Sequence, residues 1–139
     1  VPICREHGLG ILPWSPLGGG FLTGKYTRDQ APDSGTRLGE KEQFWKQADT
    51  EQNWEILDAL REVADQADAS PAQVALHWLT RRPQVTSVIF GARTMDQLEE
   101  NLEAAELDLS DEAIARLDEV SAPDYGYPYS FLQNIQGRW

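Results

Sequence analysis

Between Thr86 and Ala92 the chain reads "TSVIFGA", a β-branched apolar run flanked on both sides by segments with a helical period. A strand with one wet face alternates apolar and polar residues. A run this continuous needs cover on both faces, as in a parallel sheet packed between helices. Residues 9–15, "LGILPWS", predict a second short strand, weakened by Pro13, which has no N–H to give a ladder. Before it, "PICREHGLG" reads as the tail of a helix closed by Gly8 or Gly10. The predicted order is strand, long loop, two helices, strand, helix, helix, which argues for parallel α/β pairing. Two parallel strands do not make a stable sheet by themselves. The expected architecture is therefore part of a larger α/β unit.

The helices are read from their periods and caps. From Asn53 onward Ile56, Leu60, Val63, Ala64 and Ala67 share a face, with Leu57 beside them. Ser70, Pro71 and Gln73 form an N-cap, a first helical position and a capping box, and Val74, Ala75, Trp78 and Leu79 give the helix that follows its apolar stripe. Thr94 with Gln97 predicts another capping box, opening a helix with Met95, Leu98, Leu102 and Ala105 on its inner side. Ser110, followed by Asp111 and Glu112, starts a last helix built on Ile114, Leu117 and Val120. Residues 18–50 show no sustained period, and a loop that long is a lid, a binding loop or disorder. Residues 122–139 form an aromatic, turn-rich tail.

Charge excludes some functions. The 139 residues, enough for one domain with a real core, carry a net charge of -11, and no basic stripe could repay the repulsion of a nucleic-acid backbone. The acidity is uneven. Residues 1–50 hold six Lys or Arg and six Asp or Glu, so the first third is where an anionic ligand is least repelled. No run of about 18 apolar residues is present, so no membrane span is expected. The opening "VPICREHGLG" lacks the order of a signal peptide, and a start in mid-pattern suggests a piece of something longer. A single Cys4 allows no internal disulfide, which agrees with a cytoplasmic setting. No metal site is assigned.

The glycine run in "WSPLGGGFLTGKY", residues 14–26, points to phosphate. Gly19 to Lys25 satisfies the G-x-x-x-x-G-K part of a triphosphate-binding loop. Against that reading, Tyr26 stands where a hydroxyl must reach magnesium, and "TRDQAPDSG" follows where a helix N-terminus is required. A Rossmann fingerprint fails on spacing and on the same missing helix. A plain surface turn, with glycines that only permit positive φ, stays open on this segment alone. A second segment adds weight. "FGARTMDQLEEN" places Gly91 at a strand end, then Arg93, then a capped helix N-terminus, which together attract a phosphate electrostatically. Both segments directly follow a predicted strand, where the ligands of βα barrels gather.

The two motifs, with "SPAQVALHWL" between them and "GYPY" near the end, resemble the C-terminal part of the aldo-keto reductases. The resemblance implies an α/β fold, the C-terminal portion of a (β/α)8 barrel left incomplete in this chain, with residues 18–50 as the cofactor-covering loop. It implies NADPH-dependent interconversion of carbonyls and alcohols. Ser15, Pro16, Leu17, Gly18 and Gly19 would line the pyrophosphate and nicotinamide-ribose side with backbone amides, and Trp14 would stack on the nicotinamide. Lys25 would meet a phosphate, and Arg37 belongs to the loop folding over the cofactor. Gly91, Arg93, Gln97, Glu100 and Asn101 would hold the adenosine end, with Arg93 favouring NADPH through its 2′-phosphate. Capping and helix solvation are the plainer roles for Gln97 and Glu100.

The family's catalytic tyrosine, lysine, aspartate and histidine belong to the N-terminal half of the barrel, so no catalytic residue is assigned and these residues alone are expected to be inactive. Lys25 is not the catalytic lysine, and His7 and His77 match no catalytic motif. Tyr125, Tyr127 and Tyr129 lie in the tail that helps shape the family's substrate pocket. Expected partners are a small carbonyl substrate and the missing half of the barrel or a second copy. A non-catalytic NADPH-binding regulatory module is the alternative, since some family members serve as channel subunits.

Overall fold

A computed structural model describes residues 1–123, 126–129, 131 and 135. Six α-helices run in chain order: α1 (Pro2–Glu6), α2 (Glu42–Ala48), α3 (Glu51–Gln66), α4 (Pro71–Thr80), α5 (Met95–Glu103) and α6 (Asp111–Val120), with 3-10 turns at Gly18–Thr23 and Ala104–Glu106. Helix α1 ends at the first of the two expected glycines: Gly8 takes φ +64 and lets the Leu9 N–H reach the Cys4 carbonyl at 2.8 Å.

The two predicted strands meet in parallel, but only through isolated bridges, Ile11 to Val85 and Trp14 to Ile89. Ile11 N–H donates to the Gln84 carbonyl, Thr86 N–H to the Ile11 carbonyl and Ile89 N–H to the Pro13 carbonyl, at 2.7, 3.0 and 2.9 Å. Pro13 offers a carbonyl and no donor, so the ladder breaks at its centre. Three residue steps separate the bridges in the first segment and four in the second. That extra residue is the insertion that defines a bulge. The expected cover on both faces of "TSVIFGA" is not found: Ile89 is 53 % exposed. Its partner segment is no better covered, with Leu12 exposed and the Trp14 side open to solvent. Among the described residues no further strand pairs with either segment.

The core sits between helices α3, α4 and α6 and the segment before α2. Leu57 and Val74 are fully buried, surrounded by Leu60, Val63, Ala64 and Leu117 from the helices and by Phe21, Tyr26 and Leu38 from residues 18–50. The aperiodic loop is thus partly helical and partly core. Helix α2 owes its place to tertiary contacts: Trp45 packs at 6.3 Å from the buried Trp54 ring, and Lys46 pairs with Glu42 at 2.7 Å along the outer face. The Asn53 amide donates to the carbonyls of Gln47 and Ala48, tying the end of α2 to the start of α3.

Caps follow the sequence closely. Ser70 and Gln73 form the full reciprocal capping box of α4, and Ser110 caps α6. Helix α5 differs on two counts. Thr94 accepts the Gln97 N–H, but the Gln97 side chain accepts from Arg93 N–H at 2.9 Å and not from the cap residue. Its inner face is Leu98, Asn101 and, just beyond its end, Ala104, while Met95 and Leu102 are exposed. The reason lies in α4, which offers polar partners: buried His77 donates from Nδ1 to the Ala104 carbonyl at 3.0 Å, and Gln73 Nε2 donates to Glu103 at 2.8 Å. His77 is therefore a structural histidine. Among the described residues no helix is long and apolar enough to cross a membrane.

Candidate functional site

The glycine run folds into a tight left-handed coil. Gly18, Gly19 and Gly20 have φ of +56, +69 and +94, a region L side chains enter only at a cost. Ser15 shares it at φ 52, the one strained non-glycine position of the turn. The coil is closed by Gly18 N–H on the Ser15 carbonyl (3.0 Å) and Gly20 N–H on the Leu17 carbonyl (2.9 Å). The Gly18 amide, expected to face a pyrophosphate, is spent inside the turn in this conformation.

One face of the coil walls a cavity of about 570 Å³. Of the residues singled out from sequence, Trp14, Ser15, Pro16, Gly18, Gly19 and Arg37 line it. Trp14 is 77 % exposed, a bare indole at the rim. The far wall is apolar, made by Leu60, Ala75, Trp78 and Leu79 with Phe44 and Leu38. Gly19 is required here twice over, because a Cβ would come within 2.9 Å of Leu38. Leu17 is not on the wall; it turns inward and packs on the core. Lys25 also lies off the cavity, behind the coil: its Nζ would be 2.9 Å from a Cβ at Gly20 and stands 5.1 Å from the Tyr26 ring centre. Beneath it the Tyr26 hydroxyl is buried with no hydrogen-bond partner among the described residues.

The second group stands apart from the cavity. Gly91 has open space around it, and Arg93 and Gln97 are exposed. Glu100 is half-buried and Asn101 is 7 % exposed, facing inward. No acid pairs with Arg37, Arg93 or Lys25 among the described residues. What relates the two groups is register. The Trp14–Ile89 bridge is parallel, so the Ser15–Gly19 coil and the Gly91–Arg93 turn leave the paired segments at the same end. In parallel α/β proteins that end is where ligands bind. After Lys25 the next α-helix begins only at Glu42, so the structure adds nothing to the triphosphate reading.

Sequence reading missed the apolar wall, Gly20 and helix α2's contribution. The pattern around Phe44, Trp45 and Ala48, with Glu42 and Lys46 four apart on the outside, was the available signal for α2.

The model of the aldo/keto reductase family matches residues 1–122. The chain belongs to that family. Membership implies a (β/α)8 barrel, and the parallel contact between two segments that alternate with helices agrees with it. Similar proteins include a "Probable voltage-gated potassium channel subunit beta" of Arabidopsis thaliana, 33 % identical over 108 residues, covering 77 % of this chain and 33 % of that protein. An "Uncharacterized oxidoreductase YrpG" of Bacillus subtilis is 33 % identical over 121 residues, 86 % of this chain and 34 % of the relative. An "L-glyceraldehyde 3-phosphate reductase" of Escherichia coli O157:H7 is 40 % identical over 118 residues, 83 % and 34 % respectively. The chain spans about a third of the length of the curated relatives it matches.

Proposed function

We propose that these residues form the cofactor grip of an NADPH-dependent oxidoreductase acting on a carbonyl or alcohol. The observation that carries this reading is the shared end of the two paired segments, with a glycine coil on one and a glycine–guanidinium turn on the other. The residues present suit a dinucleotide. Trp14 offers an open aromatic face, the coil at Gly18–Gly20 admits no side chain without strain, and Arg37 and Arg93 are exposed cations. Arg93 would take a 2′-phosphate bidentately, which favours NADPH over NADH. Bound NADPH would supply a hydride to the carbonyl carbon. Trp14 would stack on the nicotinamide ring, and the apolar wall of the cavity would help to exclude water beside it.

On this reading the chain corresponds to the C-terminal part of an eight-stranded barrel, with residues 18–50 arching over the cofactor. The proton donor would come from the N-terminal half of the barrel, and His77, committed to the Ala104 carbonyl, is not a candidate for it. The 139 residues alone would then bind poorly and turn nothing over, and a cytoplasmic location fits. Titration with NADPH, followed by quenching of tryptophan fluorescence in the full-length protein, tests the site. Arg93→Ala should weaken NADPH binding by about tenfold or more, from the loss of a charge-assisted pair, and leave NADH binding almost unchanged. Equal NADPH affinity in wild type and variant would sink the 2′-phosphate assignment.

A second reading has its own support in the plant relative named as a probable channel subunit: a module that binds the nucleotide and regulates a partner without turnover. Carbonyl-dependent oxidation of NADPH by the full-length protein separates the two.

A further inference from the structure

Resting on the cofactor reading above, we propose that Arg61 is a positioning residue for Lys25. Arg61 lies on α3, and on an exposed helix face an arginine ordinarily does little beyond keep the surface wet. Here its Nη2 donates to two backbone carbonyls, Gly24 at 2.9 Å and Tyr26 at 3.2 Å, the residues immediately before and after Lys25. One guanidinium thus holds a carbonyl on each side of the lysine.

The arginine is itself held. Its Nη1 donates to Asp58 at 3.3 Å, and Asp58 accepts two further bonds from Arg28 at 2.9 and 3.1 Å. Arg28 completes the clasp by lying over the Trp54 ring, 5.6 Å from its centre. The segment from Gly24 to Arg28 is therefore fastened to α3 at both ends. Gly24, at φ +79, turns the chain into this segment, and a Cβ there would meet Pro71 and Arg61 only at ordinary contact distance.

Charge explains why the arrangement serves a ligand. Asp58 answers the cations of Arg28 and Arg61, whereas Lys25 has no acid partner among the described residues and its ammonium rests on the bare Gly20 backbone and the Tyr26 ring. The clasp uses its acids on the arginines and leaves the lysine charge available to a phosphate. Arg61 would not touch the cofactor. It would fix the backbone from which Lys25 reaches, lowering the ordering cost of that contact.

A double-mutant cycle in NADPH affinity tests this in the full-length protein, with Lys25→Ala, Arg61→Ala, Arg61→Lys and the double alanine variant. Lys25→Ala and Arg61→Ala should each weaken binding by about five- to tenfold, and the double variant by no more than about twofold beyond Lys25→Ala. Arg61→Lys keeps the charge but lacks the planar fork, and should lose most of what the alanine loses. Should Arg61→Ala fail to fold, Arg61→Lys takes its place in the cycle. Additive losses, or wild-type affinity in Arg61→Lys, overturn the positioning role while leaving the cofactor reading intact. Wild-type affinity in both Lys25→Ala and Arg93→Ala overturns the cofactor reading and this proposal with it.

Discussion

Replacing Gly20 by alanine separates what the glycine coil contributes to stability from what it contributes to binding. At φ +94 and ψ 6 an L residue is strained, by about 1–2 kcal/mol in the left-handed region. The new Cβ would also stand 2.9 Å from Lys25 Nζ and 3.0 Å from its Cε. Those atoms are the free end of a flexible chain, so the lysine can swing aside with little added cost in stability. The ammonium would then leave its perch on the coil. Gly24→Ala is the control: φ +79 imposes a comparable strain, yet the nearest atoms, Pro71 Cγ at 3.5 Å and Arg61 Nε at 3.6 Å, are at ordinary contact distance. Both variants should lower stability by about 1–2 kcal/mol, or several degrees of melting temperature. Only Gly20→Ala should also weaken NADPH binding, by roughly three- to tenfold, at one ordinary hydrogen bond's worth. Thermal melts and fluorescence titration of both variants give the answer. Gly20→Ala losing less than about 0.5 kcal/mol would refute the backbone argument; equal affinities in the two variants would refute the role given to the lysine's perch.

Three further outcomes are expected. Ser70→Ala, which removes half of the reciprocal cap on α4, should cost about 1 kcal/mol in chemical denaturation, and a loss near zero would mean that Gln73 alone suffices. Tyr26→Phe deletes a buried hydroxyl without a partner among the described residues and should leave stability unchanged or raise it by up to about 1 kcal/mol; a clear loss would reveal a bond that the fold makes there. Asp118 is pulled two ways: burial pushes its carboxyl up, but hydrogen bonds from Arg82 and Trp78 together with the Arg82 charge hold it below its ordinary value of 3.8. A depressed value in the folded state means that this stabilisation is complete above pH 3.8 and is lost as pH falls through the folded value. Asp118→Asn should therefore flatten the acid side of the stability profile, and an unchanged acid slope would count against the Arg82–Asp118 tie.

What the residues disclosed in advance was mostly local. The Ser70–Pro71–Gln73 box and the Ser110 cap depend on neighbours within one turn, so the chain spells them out. The left-handed glycines were legible for the same reason. Helix α5 was misread because its apolar residues at 95, 98 and 102 suggest one face, while the contact that orients it is polar and belongs to α4, through His77 and Gln73. Trp54 was overlooked as the hub of the aromatic cluster because its partners, Phe21 and Trp45, come from a stretch with no period of its own. At the candidate site, Arg93 stood out beside Gly91 and a helix cap. Arg61 did not, since a charged residue on a helix face carries no sign that two distant carbonyls will meet it.

The stretch from residue 18 to 50 has buried anchors within it, Tyr26 at 5 % exposure and Leu38 at 4 %. Between them, residues 27–37 are exposed or half-buried. The covering segment is thus a short flap sewn down at both hems, and Arg37 sits one residue from a hem. On the cofactor reading, opening it for nucleotide exchange would not require the core to loosen. Amide hydrogens at 29–35, between the Arg28 clasp and the Thr36 turn, would then exchange quickly while those of Phe21, Tyr26 and Leu38 keep time with global unfolding. Traffic through the site and the lifetime of the fold would run on separate clocks.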